Sequence, residues 1–281
     1  MAISYFEHKG WKFDGISEGG IRTSIAFPAL DLMFDFGAVN PDKIHISQIL
    51  LTHAHLDHSA GIPYYVSQRS LRGLSQPKIY VPVELEENMR KVLKLYSEME
   101  DFEYGCHLEG VKHHQRVDLK PGFFFKALPS FHRVPSQGYT IFESKRKLKK
   151  EFIGLGQNEI RTMKESGQDP TEEIQSPIVS FSGDSKIEYL LENEEVRKSN
   201  ILFIECTYYC DKRGVDRARE WGHTHFDEII AHADAFQNEA IVLIHPSKRY
   251  SYRELNEWFR KKIPDSLRDR THLFIPNKPS V

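Results

Sequence analysis

Residues 44–52 read IHISQILLT and run directly into His53-Ala54-His55-Leu56-Asp57-His58. The first stretch is apolar enough for a buried strand. The second packs three imidazoles and one carboxylate into six residues. A polar cluster at a strand's end sits where sheet scaffolds display functional loops. Side chains two apart on a strand point the same way, so His53 and His55 can face one ion. Asp57 and His58, on the turn that follows, can face a second. Imidazole with carboxylate suits Zn²⁺ and other borderline divalent metals. Thr52 before the cluster and Gly61 after it fit a tight strand-to-helix corner.

Two ions need more ligands, and the chain offers them at other strand ends. His132 follows FFFKALPSF, Asp184 follows IVSFSG, and His245 follows AIVLI. Around these, strands are expected at 30–37, 78–81, 123–128, 139–142, 178–181, Ile201–Glu205, Ala240–Ile244 and 272–275. Helices are expected over Ile62–Leu71, 84–100, 225–236 and Tyr252–Lys262, that at 84–100 from the helical period of Leu85, Met89, Val92, Leu93 and Tyr96. Strands come first and then alternate with helices, which is the pattern of an α/β or α+β protein with layered sheets. The polar segment 143–177 is expected to protrude as an insertion with a short helix over Gln157–Glu165, and 1–281 to form one domain carrying it.

Composition narrows the function classes. The 281 residues hold 38 Lys+Arg and 40 Asp+Glu, a formal charge of −2, so any nucleic-acid site must be a local patch. Hydrophobic residues at 40% and charged residues at 28% are ordinary for a folded chain. The three cysteines, Cys106, Cys206 and Cys210, form neither a disulfide framework nor a zinc-finger spacing. No basic-then-apolar leader and no run of about 18 apolar residues occurs, so a protein of the cytoplasm with no membrane span is expected.

HAHLDH resembles the H-x-H-x-D-H motif of the metallo-β-lactamase superfamily, and the later His, Asp and His resemble its remaining ligand motifs. That likeness covers nearly the whole chain and implies an αβ/βα four-layer sandwich with a dinuclear site at one edge of its sheets. By it, His53, His55 and His132 hold one ion, Asp57, His58 and His245 hold the other, and Asp184 bridges them. Zn²⁺ is the implied metal, two per chain, with Mn²⁺ or Fe²⁺ as alternatives. Three further features are similar to the tRNase Z family in its short form. His245-Pro246-Ser247-Lys248-Arg249-Tyr250 resembles its H-F-S-x-R-Y motif. Gly222-His223-Thr224-His225 is similar to its catalytic-histidine motif, and Ile204-Glu205-Cys206-Thr207 to its H-E-A-T segment. SQGY at 136–139, LKKEFIGL at 148–155 and DRAREWGHTHFDEI at 216–229 extend the likeness. Pro246, Cys206 and Ile204 depart from the Phe, Ala and His of those motifs.

The tRNase Z likeness implies a zinc-dependent endoribonuclease that removes 3′ trailers from precursor tRNA and leaves a 3′-OH. Another hydrolase on the same scaffold, such as a small-molecule phosphodiesterase or a lactonase, is the competing reading, with a non-catalytic RNA-binding relative behind it. Asp57 can orient or deprotonate the attacking water. His223 can protonate the leaving 3′ oxygen while Glu205 holds its imidazole in the right tautomer. His225 is the competing acid, but the 21 residues between His223 and His245 match the family pattern. Ser247 and Arg249 are candidate phosphate contacts, Arg249 as a planar donor. Lys145, Arg146, Lys147, Lys149 and Lys150 are candidates for an RNA-binding arm. The likeness also implies a homodimer in which one subunit's arm grips the tRNA that its partner cuts. The apolar, Tyr-rich stretch Ile62–Leu71 beside the metal loop is a candidate contact surface.

Overall fold

The computed structural model describes residues 3–210 and 213–276. Its first sheet takes β1 (Ser4–His8), β2 (Trp11–Glu18), β3 (Arg22–Phe27), β4 (Leu32–Phe34), β5 (Gln48–Leu50), β6 (Lys78–Pro82) and β7 (His107–Val111). The second takes β8 (Arg116–Lys120), β9 (Phe123–Pro129), β10 (Gln137–Leu148), β11 (Thr171–Phe181), β12 (Ile201–Glu205), β13 (Ala240–Ile244) and β14 (Thr271–Leu273). Spatial order follows chain order in both. Each sheet is antiparallel over its first four strands and parallel over its last four. The two halves of the chain therefore repeat one plan.

Aromatic side chains fill the space between the sheets. Phe34 stacks on Phe181 with ring centres 4.5 Å apart, and Phe13 meets Phe203 at 4.8 Å. Helices cover the outer faces. Ile62, Tyr65, Val66, Met89 and Leu93 pack on the first sheet, and Tyr189, Leu190, Phe226, Ile229, Leu255 and Leu267 on the second. The parallel strands ILFIE and AIVLI are buried throughout, as unbroken apolar strands covered on both faces must be. The result is the expected four-layer α/β sandwich.

Several expected elements are shorter. In 30–37 only Leu32–Phe34 joins a ladder, because Pro28–Leu30 forms a 3-10 turn and Asp35 turns the chain at φ +56°. In 44–52 only Gln48–Leu50 does. The helix of 225–236 breaks after Phe226–Ala231 into a 3-10 turn at Ala233–Ala235. Residues 143–177 protrude as expected, and the insertion is built on strands. β10 and β11 run on past the core as an antiparallel ribbon, Glu143 pairing with Ser176 and Leu148 with Thr171. The helix Gln157–Glu165 caps its far end. The helix Ile62–Leu71 turns Ile62, Tyr65 and Val66 into its own core and leaves Leu71 exposed at its end, so most of its apolar surface is spent within the subunit.

Candidate metal centre

The C-terminal ends of the parallel strands meet at one edge of the sandwich. From the first sheet, β4 ends at Asp35 and β5 at Thr52-His53. Asp35 is fully buried. Its carboxylate accepts the Thr52 amide at 2.7 Å, the Thr52 hydroxyl at 3.0 Å and the His58 Nδ1–H at 2.7 Å. The metal-type loop is also tied to 35–37 by its backbone, the Phe36 amide donating to the His58 carbonyl at 2.8 Å. Gly37 is required there, since a Cβ would lie 1.7 Å from the Asp57 carbonyl oxygen.

From the second sheet, β9, β11, β12 and β13 lead to His132, Asp184, Glu205 and His245. Glu205 is fully buried. It accepts the Ser185 amide at 3.2 Å, the Thr207 amide at 3.0 Å, the Thr207 hydroxyl at 2.9 Å and His223 Nδ1–H at 2.8 Å. The two sheets thus use the same device. The Thr52 hydroxyl gives its proton to Asp35 and accepts from His53 Nδ1 at 3.0 Å. The Thr207 hydroxyl gives its proton to Glu205 and accepts from His245 Nδ1 at 2.9 Å. His132 Nδ1–H donates to the Gly222 carbonyl at 2.8 Å. Each of these partners fixes a tautomer, so His53, His58, His132 and His245 turn their Nε2 lone pairs toward a common centre.

All seven expected ligands converge there. The ligand atoms of His53, His55, His132 and Asp184 lie within 4.8 Å of one another, as do those of Asp57, His58, Asp184 and His245. Asp184 belongs to both sets and stands 3.2 Å from His58 Nε2 and 3.3 Å from His245 Nε2. Asp57 Oδ2 is 3.3 Å from His245 Nε2 and accepts the Gly20 amide at 2.8 Å. Two buried atoms, His53 Nε2 and Asp184 Oδ1, make no hydrogen bond. Buried polar atoms are rarely left so, and cations at the two ligand sets would account for both.

The electrostatics fit a cation too. Burial holds the imidazoliums of His53, His55 and His132 below their ordinary range, so these rings are neutral donors. Burial acts on His58 in the same sense, but Asp184 and Asp35 outweigh it and hold its imidazolium well above the usual range. Burial would raise Asp184, yet His245 and His58 keep its carboxyl well below the carboxylate range. Burial is likewise outweighed at Asp57 by the nearby His245 ring and the His58 charge, leaving it lowered. His53, His55 and His132 are thus neutral donors beside ionised carboxylates, and a divalent ion would take the place of the proton that Asp184 and Asp35 hold on His58, completing the donor set of a divalent-metal site.

His223 borders this cluster, its ring centre 5.2 Å from that of His132. Burial alone would lower it, but Glu205 and then Asp184 outweigh burial and push it up to about 9. His225 is fully buried and caps the next helix, its Nδ1 accepting the Asp227 amide at 3.1 Å. Ser247 pairs with Gly19 in an isolated bridge, and its amide donates to the Thr207 carbonyl at 3.1 Å. Arg249 is exposed and has no ion-pair partner among the described residues. In the ribbon, Arg146 pairs with Asp169 and Lys145 with Glu143, while Lys147, Lys149 and Lys150 have no such partner among the described residues. Glu143, Glu151, Glu159, Glu165, Asp169, Glu172 and Glu173 balance those five cations together with Arg161 and Lys164, so 143–177 carries no net formal charge.

Sequence reading passed over Asp35, Thr52 and Thr207 as site residues. Asp35 had a usable signal, an acidic residue at the end of an apolar strand just before Phe36-Gly37. The threonine relays had none, because a hydroxyl one or two places from a ligand or carboxylate is common everywhere.

Residues 37–246 match the beta-lactamase superfamily domain. Over 251 residues the chain is 36% identical to tRNase Z TRZ1 of Arabidopsis thaliana, covering 89% of this chain and 90% of that protein. It is 33% identical over 253 residues to the chloroplastic tRNase Z TRZ2 of the same plant, covering 89% and 72%. The crystal structure of human short-form tRNase Z superposes with a TM-score of 0.62 at 17% identity over 98% of each chain, a likeness of fold. Among the described residues no helix is long and apolar enough to cross a membrane. With a family model spanning most of its length and two extended plant relatives above 30% identity, the chain belongs to the tRNase Z family of the beta-lactamase superfamily.

Proposed function

We propose that the protein is an endoribonuclease that cuts 3′ trailers from precursor tRNA, working in the cytoplasm with two Zn²⁺ ions. The observation that carries this is the His223–Glu205 pair beside a seven-ligand cluster in a chain whose relatives are named tRNase Z. His53, His55 and His132 would hold one ion and Asp57, His58 and His245 the other, with Asp184 available to both. Such a pair of ions supplies an activated water at neutral pH and charge complementary to the phosphoryl oxygens. Asp57, ionised and fixed by the Gly20 amide, orients the attacking water as an acceptor. Its lowered pKa suits it less to keeping that water's proton. Glu205 holds the His223 Nδ1–H, which leaves Nε2–H free to protonate the departing 3′ oxygen. Ser247 and Arg249, on the loop after His245, contact the flanking phosphates in this reading, Arg249 as an exposed planar donor. In vitro processing of a 3′-extended precursor transcript, with both product ends mapped, tests the reading. A cut at the trailer junction with a 3′-OH is expected, and no cut by metal-replete protein would overturn it.

Elemental analysis of the purified protein is expected to find about two divalent ions per chain. A stoichiometry near zero in protein prepared with metal would refute the ligand assignment.

In this proposal one hydrolase domain carries the ribbon as an RNA-binding arm. β11 ends beside Asp184 and begins at the arm, and its 11 residues at about 3.3 Å each put the arm ~33 Å from the centre of its own subunit. An arm so far away serves a partner's site better than its own. We assign the dimer contact to the exposed apolar face of Leu56, Val92, Leu95, Tyr96 and Met99, which borders the metal loop at a cavity of about 260 Å³. Leu95→Glu with Met99→Glu is expected to turn a dimer into a monomer by light scattering, without loss of fold by circular dichroism. Lys147, Lys149 and Lys150 are the arm cations free to meet phosphate. Replacing these three by Ala is expected to reduce the salt slope of RNA binding by about 2–3, the count of lost contacts. Hydrolysis of bis(p-nitrophenyl) phosphate is expected to stay unchanged. An unaltered salt slope would leave the ribbon a solvated face.

A further inference from the structure

We propose that Trp221 and Arg133 form a stacking subsite for a nucleobase flanking the scissile phosphodiester. This rests on the endoribonuclease reading and names a part of that site which neither the metal ligands nor the acid supplies. The Trp221 indole is 41% exposed, which is unusual for so large an apolar ring. The Arg133 guanidinium lies over it, 4.7 Å from the ring centre, and Arg217 lies 5.1 Å from it. Arg217 is already paired with Glu220, whereas Arg133 has no ion-pair partner among the described residues.

The position of this pair gives it meaning. Arg133 directly follows the ligand His132, and Trp221 stands two residues before the acid His223. The two segments are fastened at that point by the hydrogen bond from His132 Nδ1 to the Gly222 carbonyl. Gly222 sits at φ +76°, and a Cβ on it would come within 2.8 Å of His132 Nδ1, so only glycine admits this approach. The Trp221 amide closes the preceding helix on the Ala218 carbonyl at 3.1 Å, and the His223 amide donates to the same carbonyl at 2.9 Å. The platform is therefore held in register with the reacting groups by the backbone.

A planar ring covered by a guanidinium that has no ion-pair partner among the described residues suits one nucleotide, the base taking the place of Arg133 on the ring. The base stacks on the aromatic surface whatever its identity, and the guanidinium meets the adjoining phosphate. The charge balance of the chain makes such a contact valuable. With a formal charge of −2 overall and none net on the ribbon, long-range attraction to RNA is weak, and stacking does not depend on it. A protein partner is disfavoured at this place, because it would close the mouth of the site.

The test compares wild type with Trp221→Ala, Trp221→Phe and Arg133→Gln. Trp221→Ala is expected to raise KM for a precursor tRNA roughly 5- to 150-fold, the span of base–aromatic stacking. Trp221→Phe keeps a ring and is expected to recover most of the loss, and Arg133→Gln to lower the salt slope by about one. An abasic nucleotide placed in turn at each position around the cut is expected to find one position that costs the wild type a similar factor. That position should cost Trp221→Ala nothing more. Metal content and turnover of bis(p-nitrophenyl) phosphate report whether the centre itself is disturbed. Equal losses on RNA and on the small ester would make Trp221 a mere support for His223 and overturn the subsite. So would wild-type KM in Trp221→Ala, or an abasic scan whose losses add to the mutant's everywhere. Binding of a short single-stranded RNA, measured in parallel, judges the subsite even if the wild type fails to cut. Failure of cleavage with ring-dependent RNA binding would condemn the reaction assigned above and spare the subsite.

Discussion

His223→Ala is expected to lower kcat on a 3′-extended precursor tRNA by about two to four decades, the usual size of a general-acid term. KM and metal content should change little, because His223 belongs to neither of the two sets that share Asp184; it groups with Glu205 and His245 instead, and there its Nδ1–H is already taken by Glu205 at 2.8 Å. The geometry explains the size. Water can reach a ring that is one-seventh exposed, yet nothing else among the described residues offers a fixed N–H beside the cluster in this place. The competitor His225 is fully buried, and its Nδ1 is occupied by the Asp227 amide. If His223→Ala kept its kcat on precursor tRNA, the acid would have to be sought elsewhere.

The same assignment sets the pH profile. Glu205 pushes the His223 imidazolium up to about 9. The proton is therefore present at neutral pH and lost as pH rises through that value, so kcat should fall on an alkaline limb. Cations bound nearby oppose a charged imidazole and draw the limb below 9. Glu205→Gln keeps a hydrogen-bond acceptor but removes the charge that raises the ring, and is expected to shift the limb further down. A pH profile for Glu205→Gln that overlays the wild type would show that the carboxylate is not tuning the proton donor.

How the sequence announced all this differs from part to part. HAHLDH and the three later ligands were legible because ligand chemistry and strand ends coincide, and a strand end is visible as an apolar run followed by polar residues. The four layers were legible for a related reason, since ILFIE and AIVLI have no polar side to turn to solvent. The first three strands were not foreseen. SYFEH and WKFDGISE mix polar and apolar residues with an imperfect alternation, as edge-proximal antiparallel strands do, and only pairing across the sheet decides them. The protruding insertion and its helix over Gln157–Glu165 were legible from the polar, Lys-rich composition. That Lys145, Arg146 and Lys147 lie on strands was not, because their backbone continues the β10–β11 ladder that starts in the core, and only that pairing decides it. A helix face is likewise invisible to composition. The tyrosines of Ile62–Leu71 suggest a surface for a partner, and Tyr65 is instead buried, its hydroxyl donating to the Ile46 carbonyl at 2.6 Å.

Asp184→Asn is expected to have the broadest effect of any single change. Asp184 is the one residue common to both ligand sets, and it enters from the second sheet while His53, His55, Asp57 and His58 come from the first. An amide is nearly the same size but neutral, and it offers one oxygen where the carboxylate offers two. Metal content should fall from about two ions per chain to one or fewer. Because paired ions contribute several kcal/mol to such a transition state, turnover should drop by about three decades or more on precursor tRNA and on bis(p-nitrophenyl) phosphate alike. That equal loss separates it from the two mutants above, since neither removing the arm's cations nor removing the Trp221 ring touches the small ester. Raising the metal concentration should restore part of the activity if weakened binding is the cause, and none if the charge itself is needed. Full metal content with full turnover in Asp184→Asn would mean that the two ligand sets are independent, and the shared carboxylate would lose its assigned role.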